Sequence, residues 1–132
     1  MIGIDTNVLV RYLAQDDDVQ SLVASRVIDA LTVEAQAHIP IVVLVETVWV
    51  LSRAYRSSRA QIAATIETLL RARELVVENA EIAYLALATY QATNADFADA
   101  LIAHGARRAG CTETVTFDKA AAASTGMRLL SA

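Results

Sequence analysis

Residues 40–51 read Pro40-Ile41-Val42-Val43-Leu44-Val45-Glu46-Thr47-Val48-Trp49-Val50-Leu51, and the reading of this stretch decides the fold. Nine of the eleven residues after the proline are apolar and fall on every side of a helix, so the segment is expected at the centre of the protein. Pro40, the only proline in the chain, suits a first helical turn, where its missing N–H is not needed and its fixed φ is already suitable. The Val and Ile content also allows a buried strand. The length of the run and its continuation into Ser52-Arg53-Ala54-Tyr55-Arg56 favour one helix of about four turns. Glu46 is then the difficulty, because an ionised carboxylate enclosed by Val42, Val43, Val45, Val48, Trp49 and Val50 needs a cation or several donors to meet it.

Outward from this helix, residues 1–4 are short and apolar and end in Asp5-Thr6-Asn7, after which Val8, Leu9, Tyr12 and Leu13 recur at helical spacing. This is a strand running into a helix. Asp5 reads either as a helix N-cap or as a site acid at the carboxyl end of a strand. Asp16-Asp17-Asp18 opens a second helix with Leu22, Val23, Val27, Ile28 and Leu31 on one face. The three acids read as a solvated cap and lack the Gly turn and following Glu of an EF-hand loop. Residues 35–39 read as a short strand.

Arg53, Arg56 and Arg59 follow, three apart. They are either cations complementing a helix C-terminus or an edge that contacts phosphates. Ser58 caps a predicted helix over 59–71 whose apolar stripe is Ile62, Ile66, Leu69 and Leu70. Residues 74–77 read as a strand and 81–90 as an amphipathic helix. In Asn94-Ala95-Asp96-Phe97-Ala98-Asp99-Ala100-Leu101-Ile102-Ala103, the two acids share one helix face. Both suit a helix start, but a cap explains Asp96 better than Asp99. His104 lies off that face and reads as an ordinary surface or core histidine. Thr114-Val115-Thr116-Phe117-Asp118 is a strand with an acid at its end, followed by an Ala-rich helix and a strand over 127–130. Strands separated by helices imply an α/β fold with a mainly parallel central sheet, right-handed crossovers and helices on both faces.

The chain of 132 residues is expected to form a single domain, residues 1–132, with its own core. No apolar run reaches the roughly 20 residues that span a bilayer, and the start lacks the basic and apolar regions of a signal peptide. A cytoplasmic protein without a membrane partner is expected. Cys111, the only cysteine, excludes an intrachain disulfide and is expected to be a small buried hydrophobe. A net charge of −4 argues at first against a nucleic-acid partner. If five of the fifteen carboxylates (Asp5, Glu46, Asp96, Asp99 and Asp118) belong to one site, the remaining ten balance eleven Lys and Arg.

In a parallel α/β sheet, strand-end acids such as Asp5 and Asp118, Asp99 at a helix start and Glu46 can converge at the carboxyl edge. Converged carboxylates stay ionised only around a divalent cation, and hard oxygen ligands select Mg²⁺ or Mn²⁺. Such an ion activates water and offsets charge on phosphate oxygens, which indicates phosphodiester hydrolysis.

Four motifs in order, Gly3-Ile4-Asp5-Thr6-Asn7, Pro40 to Glu46, Asp96-Phe97-Ala98-Asp99-Ala100-Leu101-Ile102-Ala103 and Val115-Thr116-Phe117-Asp118, resemble the successive motifs of PIN-domain ribonucleases. The length and the Thr116-Phe117-Asp118-Lys119 ending are similar to the VapC toxins of bacterial toxin–antitoxin pairs. The resemblance implies metal coordination by Asp5 and Asp99, with Glu46 and Asp118 completing a catalytic acidic site and Asp96 auxiliary. It implies that Thr6, Asn7 and Thr116 orient carboxylates, water or phosphate. It also implies a homodimer, an antitoxin partner and RNA as substrate. The alternative from another class is a non-catalytic PIN-like scaffold or RNA-binding domain. A haloacid dehalogenase phosphatase needs an Asp where Asn7 stands, and a phospho-accepting receiver needs paired acids at the first strand.

Overall fold

The computed structural model describes residues 1–132 and divides into two compact units, Met1–Glu78 and Asn79–Ala132. The first unit contains β1 (Ile2–Gly3), α1 (Thr6–Ala14), α2 (Asp18–Asp29), β2 (Ala37–Ile39), α3 (Ile41–Arg53), α4 (Arg59–Arg71) and β3 (Leu75–Val77). Its three strands form a parallel sheet in the order β1-β2-β3, with Ile2 opposite Ala37 and Ala37 opposite Leu75. Each crossover is a helical pair, which parallel neighbours require because a tight hairpin cannot join them. The fold class is therefore α/β with parallel pairing, as the alternation of patterns implies.

Local chemistry sets the boundaries of these helices. Asp17 caps α2 by accepting the Val19 and Gln20 N–H groups. Ser58 caps α4 in a reciprocal box with Gln61. Pro40 stands just outside α3 in extended geometry, and the Glu78 carboxylate accepts the Ile41 N–H at 3.0 Å, serving one of the helix's orphan donors. Gln15 ends α1 in the left-handed region, φ 54°.

The core of this unit includes Ile4, Leu9, Ile39, Leu44, Ile62 and Ile66, all under 5% exposed. Two expectations about it are corrected. The α3 helix is not enclosed on all sides: Val43, Leu44, Thr47 and Leu51 are buried, whereas Val42 and Trp49 are 59% and 60% exposed. It packs one stripe, as a surface helix does. The apolar face assigned to α2 is likewise largely open. Leu22, Val23 and Val27 are exposed, and the buried residues are the smaller Ser21 and Ala24, which allow close approach to α1.

The second unit contains α5 (Ala80–Ala92), α6 (Phe97–Arg108), β4 (Val115–Thr116), α7 (Lys119–Thr125) and β5 (Arg128–Leu129). Helices α5 and α6 pack through alanines, with Ala83, Ala86, Ala100 and Ala103 all buried, and Tyr90 meets Phe97 edge to face at 6.0 Å. Strands β4 and β5 pair in parallel around α7, with Val115 opposite Arg128. Gly126 ends α7 at φ 79°, a conformation that favours glycine. Cys111 is exposed, not buried, because it lies in the turn beyond α6. No helix is long and apolar enough to cross a membrane.

Candidate active site

Two groups of carboxylates stand at or near helix starts, one in each unit. In the first unit Asp5 is the N-cap of α1, its Oδ1 accepting the Thr6 N–H at 2.8 Å. The Thr6 hydroxyl donates to Glu46 Oε1 at 2.8 Å, tying the start of α1 to the second turn of α3. The second oxygen of each carboxylate lies outside these bonds. Asp5, Thr6, Asn7 and Glu46 line one cavity of about 510 Å³. Glu46 is exposed, so the enclosed carboxylate expected from the sequence does not exist. It sits on the open stripe of α3, and water as well as Thr6 solvates it.

In the second unit Asp96 is the N-cap of α6, and its Oδ2 accepts the Asp99 N–H at 3.2 Å. Asp99 lies in the first turn of the same helix and is half-buried. Asp118 is the N-cap of α7, accepting the Ala121 N–H at 3.0 Å, and its own N–H donates to Thr116 Oγ1 at 3.0 Å. Burial, and then the neighbouring charges of Asp96 and Asp118, push the Asp99 carboxyl above the ordinary carboxylate range. The structure thus brings Asp96 and Asp118 each within electrostatic reach of Asp99. Each of these acids is a cap or first-turn residue, and helix capping accounts for the bonds to Asp5, Asp96 and Asp118. It does not account for the like-charge burden on Asp99.

Within neither unit do three His, Cys, Asp or Glu side chains gather at metal-ligating distance. The donor chemistry nevertheless fits a divalent cation. Every candidate ligand is a hard oxygen, and the unfavourable charge at Asp99 is of the kind a bound Mg²⁺ or Mn²⁺ relieves. His104 makes a 2.8 Å contact to Thr89 Oγ1, and burial together with Arg107 holds its pKa below the usual value.

The three arginines stand on different elements. The Arg53 guanidinium lies over the exposed Trp49 ring, 5.7 Å from its centroid, in the last turn of α3. Arg56 occupies a turn at φ 51°, and Arg59 opens α4. Placement at a helix C-terminus therefore describes Arg53 alone.

The sequence reading missed a polar network beside Glu46. Tyr55 Oη donates to Asp16 Oδ2 at 2.6 Å, and Arg11 Nη1 reaches Asp16 Oδ1 and Tyr55 Oη, each at 3.2 Å. Arg11 Nε donates to Gln20 at 2.9 Å. The Tyr55 hydrogen bond, more than any other influence, lowers the Asp16 pKa, and Asp16 in turn raises that of Tyr55. Only Arg11 and Asp16 are near in sequence. Nothing in the pattern at Tyr55 announces a partner 39 residues away.

Comparison with curated proteins returned no match. A family model described as the PIN domain matches residues 2–125, nearly the whole chain and both acid groups. PIN domains have a nuclease-type fold and are in general metal-dependent nucleases, and this chain belongs to the PIN-domain family.

Proposed function

We propose that the chain is a metal-dependent endoribonuclease that hydrolyses RNA phosphodiester bonds and serves as the toxin of a type II toxin–antitoxin pair of the VapC kind. The observation that carries this reading is the PIN-domain match over residues 2–125, in a chain whose half-buried Asp99 stands in the first turn of α6 behind the Asp96 cap, with Asp118 also close enough to act on it. A solely structural acid has no need of such neighbours, whereas a cation ligand does.

In this reading Asp5, Glu46, Asp99 and Asp118 hold Mg²⁺ or Mn²⁺, with Asp96 auxiliary. A cation held there would supply the chemistry of lowering the pKa of a water molecule and offsetting charge on phosphate oxygens. Thr6 fixes the Glu46 carboxylate through its 2.8 Å hydroxyl bond, and Thr116 fixes the backbone that presents Asp118. Asn7, which lines the same cavity as Asp5, orients water or phosphate in this reading. Arg53, Arg56 and Arg59 contribute charge toward RNA, for which exposed Trp49 beneath Arg53 offers a stacking surface. A cognate antitoxin, a homodimer and a cytoplasmic location belong to the same reading, which rests for these on the likeness to VapC toxins.

The test is cleavage of RNA by the purified chain. Mg²⁺ or Mn²⁺ should support cleavage, chelator should stop it, and Asp99→Asn should be inactive. Chelator-resistant cleavage, or an active Asp99→Asn protein, contradicts the proposal.

A further inference from the structure

The cavity that holds Asp5 and Glu46 continues between α1 and α3 to Arg11 and Tyr55. Asn7, Val10 and Arg11 lie on one face of α1, and Glu46, Val50 and Ala54 follow at four-residue spacing along α3. Its volume of about 510 Å³ falls in the usual range of ligand sites, roughly 300–1,000 Å³. The two ends differ in chemistry. Carboxylates occupy one, and Val10, Val50, Ala54 and Tyr55 with the single cation Arg11 occupy the other.

Arg11 is held rigidly. Its Nε donates to Gln20, and Nη1 is shared between Asp16 and Tyr55, so Nη2 is the guanidinium nitrogen left without a protein acceptor. Asp16 already balances its charge at 3.2 Å. What remains is one pair of N–H donors on a side chain that lines the cavity and whose charge is already balanced, not a strong positive field. That chemistry suits a flat, neutral ring bearing a carbonyl oxygen better than it suits a phosphate.

We propose that this cavity is a nucleobase subsite. It seats the base of the nucleotide next to the scissile phosphate, with Val10, Val50 and Ala54 against the ring and Arg11 Nη2 donating to a carbonyl oxygen. Guanine, uracil and cytosine, each of which bears a carbonyl oxygen, are accepted, and adenine, which has none, is disfavoured. The inference rests on the nuclease reading for its role in cleavage, but base binding is measurable without cleavage.

The metal-free protein is titrated with guanosine, uridine and adenosine 5′-monophosphates while its amide resonances are followed by NMR. The guanine and uracil nucleotides should shift the amides of Arg11, Val50 and Ala54 and bind at least about fivefold more tightly than the adenine nucleotide, the lower end of what one good base contact gives. Arg11→Lys keeps the charge but loses the fork, and should bind all three alike. Ala54→Trp fills the cavity from an exposed position at the end of α3 and should abolish the shifts in a folded protein. Equal binding of the adenine nucleotide by the parent, no shifts with any of the three, or shifts that survive Ala54→Trp would overturn the proposal. In parallel, cut sites are mapped on RNA of random sequence. A base bias at one position beside the cut, lost in Arg11→Lys, supports the subsite. Selective binding with no cleavage supports the subsite and removes the nuclease reading. Cleavage with neither bias nor selective binding removes the subsite alone.

Discussion

Replacing Glu46 by glutamine separates a carboxylate that serves chemistry from one that holds the fold together. The structure gives Glu46 a single protein hydrogen bond, from the Thr6 hydroxyl at 2.8 Å, and leaves the side chain exposed on the open stripe of α3. Glutamine retains a carbonyl oxygen that accepts the same bond. A typical net hydrogen-bond contribution is about 0.5–1.5 kcal/mol; with water available to both partners and the acceptor largely kept, the loss should stay below about 1 kcal/mol. For a domain of this size that is a shift in Tm of roughly 3–5 °C or less. Had Glu46 been enclosed and paired to a buried cation, removing its charge would cost about 3–5 kcal/mol and lower Tm by more than about 10 °C. Thermal unfolding of parent and Glu46→Gln in chelator at neutral pH distinguishes the two, with RNA cleavage measured alongside. We expect nearly coincident melts and an inactive variant. A large drop in Tm would refute the exposed placement, and a fully active variant would refute the catalytic one.

Asp99→Asn should be at least as stable as the parent at neutral pH in chelator, because a carboxyl whose folded-state pKa is raised costs stability once it ionises; that cost should vanish as the pH falls below the unfolded carboxylate value, about 4, which paired unfolding curves across pH 3–7 would reveal. Thr47 is 1% exposed and its Oγ1 has no hydrogen-bond partner, so the near-isosteric Thr47→Val should raise stability by about 1 kcal/mol in denaturant unfolding, and a loss of stability would show that the hydroxyl is satisfied. Ser58→Ala removes the acceptor of the Gln61 N–H, 3.1 Å away, from the α4 capping box and should cost about 1 kcal/mol with no change in denaturant slope.

Much of this architecture was legible because capping and periodicity are local. Asp5, Asp17, Ser58 and Asp96 stand as the N-caps that the sequence offered, since side-chain acceptors at helix starts follow from the geometry of the first turn alone; Asp118, read only as a strand-end acid, is also an N-cap. The α/β alternation, with parallel strands joined through helices, follows equally from short apolar runs between amphipathic ones. Burial was less legible. A Val-rich helix was expected to be enclosed, yet Val42 and Trp49 are open, since apolar residues also make up much of a folded surface. The same reasoning misjudged Leu22 and Val23 on α2, where the closer packing goes through Ser21 and Ala24. The Glu46 inference therefore started from an incorrect burial. Tyr55 and Arg11 escaped notice because their link through Asp16 depends on how α1 and α3 lie together, which no local pattern encodes.

Binding of Mn²⁺ tests the central claim most directly, since it requires neither the natural RNA nor turnover. Free Mn²⁺ is followed by electron paramagnetic resonance as protein is added at neutral pH. The parent should deplete the free-ion signal, excess Mg²⁺ should restore it, and Asp5→Asn and Asp99→Asn should each bind far more weakly although both remain folded. Undiminished Mn²⁺ binding by both folded variants, or no binding by the parent, would contradict a carboxylate-held cation.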